Sequence, residues 1–584
     1  MTESTRLVSR RHTLAMLLAA GPGAAAFGRA IESLAAESRP VTTRMIREAE
    51  WISGLSFTDA DRKLMLKGIR DAVADYAKIR AVPIDNGVPP AFHFSATPGE
   101  NPGAPKPHAE ARRDSGGMPD LPRRESELAF APVATLAKWL QTGRVSSVEL
   151  TKLYLARLRK FDPQLLCTVN LTEERALRQA RQADDEIAAG RWRGLLQGVP
   201  WGAKDLLAVP GYPTTWGATP YKDQLRPETS AVVERLDAAG AVLVAKLAVG
   251  ALAWGDVWFG GTTKNPWKLD QGSSGSSAGS ASATSAGLVA FGIGTETWGS
   301  IVSPCSRCGV TGLRPTFGRV SRHGVMALSW TMDKVGPIAR SAEDCALIFG
   351  AIHGSDPRDP ASVSREFAWP WVGDPRELRI GYVSKLFHED RTVGAETESD
   401  KQSARDSQQN DLRTLETLRA LGFRLIQLDV ESAYPVGGIA LILVAEAAAA
   451  FDELTRSGKD DTLERQVEDA WPNVFRQGQL VPAVEYLRAS RIRTLVQAEP
   501  VQQLSGVDVW LAPSFGGDIL LRTNLSGHPC VVTPNGLRSS DGTPTSITFL
   551  GQPHREAEML AVAHAYQDAT DAHLARPKGD WLTA

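Results

Sequence analysis

Three polar residues stand where their neighbours are apolar or small, and their types suit nucleophilic chemistry. Lys204 ends the apolar stretch Gly198-Val-Pro-Trp-Gly-Ala-Lys204. Ser276 lies in the Gly/Ser-rich tract that begins the segment Gly272–Ser303, and Ser300 closes that segment's second Gly-Ser turn. A serine hydroxyl is a weak nucleophile and needs a base. Histidine is the commonest, yet only His323 and His528 occupy suitable contexts, and no Gly-x-Ser-x-Gly elbow accompanies them. A lysine can take this role when burial disfavours its ammonium form. A neutral lysine would then draw a proton through one serine from the other.

Such residues need rigid elements to hold them. Glycine and serine at this density usually mark a flexible linker. Here the tract runs into the apolar stretch Gly287–Gly294, so close backbone approach inside a packed fold is the expectation. Ser146-x-x-Glu149 is a capping box opening a helix with Leu150, Leu153, Tyr154 and Leu158, and Thr172 opens another that stops at Gly190. Strands are predicted over 198–204, 241–246, 378–383, 423–428, 507–511 and 530–533, and helices over 230–239, 412–421 and 555–574. This alternation predicts an α/β fold, a sheet covered by helices. The polar stretch His388–Gln409 reads as a surface loop or insertion.

Upstream, Ser9-Arg10-Arg11-His12-Thr13-Leu14 leads into the uncharged, Ala-rich run Leu14–Phe27. That pattern predicts a twin-arginine-type export signal over residues 1–30 and a periplasmic or secreted protein. The run is too short for a stable membrane span. A helical extension is expected over 41–82, with an N-cap at Thr58 and apolar residues at Leu66, Ile69, Val73 and Tyr76. A Pro/Gly-rich linker follows over 83–128, then a catalytic domain over 129–577. The extension is expected to cover the pocket, to mediate a homodimer or to rest on a membrane surface. A net charge of −2 gives no electrostatic case for nucleic acid. Five cysteines without framework spacing exclude a disulfide scaffold, and Cys305-x-x-Cys308 is half a zinc site at most.

At these positions the chain resembles the amidase signature family. The lysine-terminated strand is similar to Gly198–Lys204, the Ser-rich tract to Ser274-Gly-Ser276-Ser277-Ala-Gly-Ser280, and the second turn to Gly294-Thr-Glu-Thr-Trp-Gly-Ser300-Ile. The two serines are spaced as the family spaces them. Cys308-Gly-Val-Thr-Gly-Leu-Arg-Pro-Thr316, Gly318–Gly324, Asp333–Pro337, Thr523–Pro529 and Gly542–Ser546 continue the resemblance in order. It implies a mixed central sheet sandwiched by helices and a Ser–Ser–Lys triad acting on a small-molecule amide without metal or organic cofactor. Ser300 would be the nucleophile, Ser276 the bridging serine on a cis peptide bond, and Lys204 the base. The backbone N–H groups of Thr297, Trp298, Gly299 and Ser300 would form the oxyanion hole. Two positions depart from the pattern. Trp298 replaces a glycine, and its indole is expected to narrow or line the pocket. Val302 stands where the family commonly carries arginine.

Supporting roles fall to Gly275, which accommodates the bond before Ser276, and to Ser277 and Ser273 as hydroxyls satisfying nearby amides. Asp205 and Asp333 are expected to brace local backbone, and Cys308 to pack in the core. The pocket walls are expected from parts of 385–500. The amidase reading competes with an ester or carbamate hydrolase on the same residues, a transamidating subunit that draws ammonia from glutamine for tRNA, and a non-catalytic binding protein.

Overall fold

The computed structural model describes residues 40–84, 91–92 and 120–579. The export-signal stretch and most of the Pro/Gly-rich stretch lie outside the described residues. Eleven strands form one mixed sheet: β1 Thr168–Leu171, β2 Pro200–Lys204, β3 Val242–Leu247, β4 Phe291–Glu296, β5 Thr311–Arg314, β6 Lys334–Ala339, β7 Ile380–Val383, β8 Leu425–Leu428, β9 Val509–Pro513, β10 Cys530–Leu537 and β11 Pro544–Gly551. Their order is β1-β3-β2-β4-β6-β5-β10-β11-β9-β7-β8. β2 runs parallel to both β3 and β4, β7 runs parallel to both β8 and β9, and the remaining pairs are antiparallel. Every residue of β2, β3, β4 and β6 is buried, which is why these strands are mostly apolar on both faces and their few polar residues stand out. Successive side chains point to opposite faces. Leu243 accordingly joins one apolar core while Val242 and Val244 join another. Val531 likewise separates from Cys530 and Val532.

The helices that matter here are α1 Thr43–Ser53, α2 Asp59–Ala81, α3 Ser147–Leu165, α4 Glu173–Ala188, α5 Ala278–Ser285, α6 Val302–Cys308, α7 Glu398–Ala420, α8 Leu441–Ala450, α9 Trp471–Gly478, α10 Ala483–Gln503, α11 Ile519–Ser526 and α12 Glu556–Asp568. Capping boxes open α2 at Thr58–Asp61 and α3 at Ser146–Glu149. Thr172 does precede α4, but its hydroxyl donates to the Leu243 carbonyl at 2.6 Å instead of capping the helix.

The polar stretch at 388–409 is not a loop throughout. Thr397 and Asp400 form a further capping box, and α7 begins at Glu398. Apolar periodicity is missing because this helix docks through polar groups. Asp406 accepts N–H bonds from Ser539 and Ser540 at 2.8 and 3.2 Å. Asn410 donates to Thr545 Oγ1, and Asp411 accepts from Asn535 and Arg391.

α2 packs on α9 and α10, and α1 packs on α2. Met65 and Ile79 are fully buried. Arg476 of α9 donates to Asp61 at 2.8 Å and to Asp461 at 2.6 Å, and pairs with Asp460 at 2.8 Å. Arg80 pairs with Glu485, and Arg488 donates to the Ile79, Arg80 and Val82 carbonyls. Among the described residues no helix is long and apolar enough to cross a membrane.

Candidate active site

Lys204, the last residue of β2, is fully buried. Its Nζ lies 2.9 Å from Ser276 Oγ, 3.0 Å from Ser277 Oγ, 2.8 Å from Thr295 Oγ1 and 3.4 Å from the Thr295 carbonyl. Among the described residues no carboxylate touches it. Burial pushes its pKa well below the usual lysine value, while the charges of Asp333 and Glu296 pull weakly the other way. Ser277 is saturated, donating to the Thr295 carbonyl at 3.1 Å and accepting the Thr295 N–H at 3.1 Å. With its own proton spent and one lone pair filled, Ser277 can only accept from Nζ. Ser276 is left as a hydroxyl free to donate to the amine.

The Ser-rich tract leads into α5, all eight of whose residues are buried. Small side chains let this helix press against the sheet. A Cβ on Gly279 would fall 2.3 Å from the Cys167 carbonyl, and Ser280 donates to the Ile293 carbonyl at 2.8 Å. Just before it, the Gly275–Ser276 peptide is cis. A Cβ at Gly275 would sit 1.8 Å from the Gly255 carbonyl oxygen, so only glycine fits there. Asp256 holds the same loop through the Ser274 N–H at 2.8 Å.

Ser300 follows β4 in a turn, and the Ser277 N–H donates to its carbonyl at 3.1 Å. The left-handed residue of this turn is Gly299, with φ at 84°, so the conformation makes no demand for glycine at 298. The Trp298 side chain is 47% exposed and lines neither the cavity beside Thr295 and Thr297 nor the chamber next to it. Val302 is buried beside Ile301 and Cys305.

Glu296 is the group that sequence reasoning missed. Its Oε2 accepts the N–H groups of Ile301 and Val302 at 2.8 and 2.9 Å, and its Oε1 accepts from Arg314 and Asn524 at 2.7 and 2.8 Å. Burial drives its pKa up, but the Arg314 guanidinium and these bonds overcome that and leave it at about 2. The carboxylate thereby ties the backbone just after Ser300 to β5 and α11. A carboxylate ending an apolar strand is the sequence signal that could have found it. Asp333 plays a parallel part, accepting from Thr297 Oγ1 at 2.6 Å and from the Leu328 and Ser329 N–H groups.

Asp205 pairs with buried Lys246 at 2.7 Å and accepts the Thr215 N–H at 2.9 Å, so it fixes the 213–216 turn and does not reach Lys204. His528 bonds Ser526 Oγ at 2.7 Å, and burial with nearby Arg314 and Arg522 lowers its pKa to about 4. Neither it nor His323 is among the groups around Lys204 Nζ. Cys308 and the other four cysteines are buried and free, and among the described residues no cluster of His, Cys, Asp and Glu could hold a metal ion. The adjoining cavities are walled mainly by residues from 206–228 and 322–335. The 385–500 region contributes Ala450, Phe451, Glu453 and Leu454 to the second of these two cavities.

A family model described as Amidase matches residues 149–518. A glutamyl-tRNA(Gln) amidotransferase chain from Chloroflexus aggregans is 34% identical over 497 residues, covering 77% of this chain and 99% of that protein. Among solved structures, the native peptide amidase from Stenotrophomonas maltophilia is 28% identical with a TM-score of 0.66, covering 77% of this chain and 98% of that one. The structure titled PAM12A is similar at 27% identity and a TM-score of 0.66.

Proposed function

The chain belongs to the amidase family of amide C–N hydrolases, and on that premise we propose that Ser300, Ser276 and Lys204 form its catalytic triad. Ser300 Oγ attacks the carbonyl carbon of a carboxylic amide as its proton passes to Ser276, whose own proton passes to neutral Lys204. N–H groups from Thr297 to Ser300 stabilise the tetrahedral oxyanion, each donor contributing roughly 3–4 kcal/mol. The relay returns a proton to the leaving nitrogen, the C–N bond breaks, and ammonia or an amine departs from an acyl-enzyme on Ser300. Water entering by the same relay releases the acid.

The observation that carries this reading is the bonding around Lys204. A buried amine with no carboxylate partner lies within hydrogen-bond distance of Ser276, Ser277 and Thr295, and in its neutral form it has a lone pair to accept the Ser276 proton. The arginine pair at Arg10-Arg11 supports export of the folded enzyme to the periplasm. The rival in which the chain serves a tRNA-dependent amidotransferase is separated by a simple assay. Release of ammonia or amine from free amides, with neither tRNA nor a partner chain present, belongs to the amidase reading alone.

Treatment with a fluorophosphonate followed by peptide mass mapping tests the nucleophile. One adduct on Ser300 is expected, absent from a folded Ser300→Ala variant whose turnover falls by at least about 10³-fold. An adduct elsewhere, or none on the intact protein, would sink the assignment.

A further inference from the structure

A cavity of about 250 Å³ opens beside Thr295 and Thr297, walled by Leu206, Ala253, Met326 and Leu328. Most of its charged side chains already have partners. Arg322 forks onto Asp359 at 2.9 and 3.0 Å and also donates to the Trp330 carbonyl. Arg358 spans Glu234 and Asp356. Asp333 is filled by Thr297 and two backbone N–H groups. Lys334 remains. Its amine approaches only the Asn524 carbonyl, at 3.5 Å. Burial, with the Arg314 and Arg493 cations nearby, holds its pKa far below the usual value against the pull of Glu296 and Asp333.

A second chamber of about 480 Å³ shares Leu206, Met326 and Trp330 with the first and adds Trp216, Tyr221 and Phe451. The Trp216 ring lies 4.7 Å from Tyr221 and 6.1 Å from Phe451, centroid to centroid. Such tilted and edge-on rings offer faces to a planar apolar group.

Resting on the amidase reading above, we infer that the site selects a neutral amide: an uncharged, ring-sized group fills the inner cavity and an apolar remainder lies among the outer aromatic rings. The inner volume is below the roughly 300–1,000 Å³ of drug-sized pockets, which limits the group to about one ring or a short branched chain. A carboxylate carried into the inner cavity would lose its hydration beside Lys334, whose burial favours the uncharged amine, and an ammonium would meet Asp333, whose oxygens already accept three hydrogen bonds. Glutamine, which bears both, would be a poor substrate.

Calorimetry on the full-length Ser300→Ala variant tests this without turnover. Phenylacetamide is expected to bind at least about tenfold more tightly than its 4-carboxy analogue or L-glutamine, given the cost of an unpaired buried charge. Equal affinities would overturn the inference, as would failure of phenylacetamide to bind a variant with native circular dichroism. Tighter binding of the carboxylate, lost in Lys334→Met, would overturn it and assign the cavity an anionic ligand. A missing fluorophosphonate adduct on the native protein would instead sink the triad, leaving this binding comparison intact.

Discussion

Lys204 makes the strongest demand of any single residue, because a buried amine with no counter-charge is stable only when neutral. Activity that needs the free amine rises with pH as the enzyme loses that proton. Since the folded pKa lies well below 10.5, the kcat/KM profile is expected to rise and level off well below that pH. A profile falling steadily from pH 6 to 9 in folded enzyme would remove Lys204 as base. Stability moves in the same direction. The unfolded chain binds a proton that the native state excludes, so the native state gains as pH rises toward the unfolded lysine value. Lys204→Met lacks this penalty, and its melting temperature relative to native protein should increase as pH falls from 9 to 6. Glu296 has the opposite sign. Its pKa drops from 4.5 to about 2 on folding, which contributes about 3 kcal/mol above the unfolded value and is lost as pH falls through about 2. Glu296→Gln leaves Arg314 buried without its partner. It should cost about 3–5 kcal/mol by chemical denaturation and lower kcat about 10–100-fold by loosening the turn at Ser300.

At the scale of elements, positions that act through local chemistry are legible in the sequence, and those that act through neighbours in the sheet are not. The capping boxes at Thr58 and Ser146 can be read directly because both partners lie within four residues. Lys204, Ser276 and Ser300 can be picked out because each breaks the pattern of its own segment. Glu296 breaks the pattern of its strand as well, but its role cannot be read from that break. Its partners at Ile301, Val302, Arg314 and Asn524 meet only once β4, β5 and α11 are assembled. The same reason hides the first half of α7, whose buried residues are polar and matched to the β10–β11 hairpin, whereas its second half, with buried Leu415 and Leu418, falls within the helix predicted over 412–421. Asp406→Ala should therefore lower stability by about 1–3 kcal/mol, the cost of losing its hydrogen bonds to the Ser539 and Ser540 backbone. Hydrogen exchange should quicken at 537–543 more than in the central strands. Uniform protection would show that the docking is redundant.

At the scale of the molecule, the helix pair α1–α2 is part of the packed body, held to the layer that carries α8 and Phe451 at the outer chamber. Arg476 is the principal tie, with Asp460 buried beneath it. Arg476→Met should cost about 3–5 kcal/mol and speed exchange across residues 59–81. No change in that segment would mean that apolar contacts alone secure it. These contacts also set an order of events during synthesis. Asp61 meets Arg476 across 415 positions of chain, and Arg80 meets Glu485 across 405. Ribosomes deliver the chain from its N-terminus, so the helix pair is among the first parts made and among the last to find its partners. Until some four hundred further residues have emerged, α2 lacks the α9 and α10 surfaces against which it packs. A nascent chain stalled before α9 would display that unpacked face to any chaperone waiting at the exit tunnel.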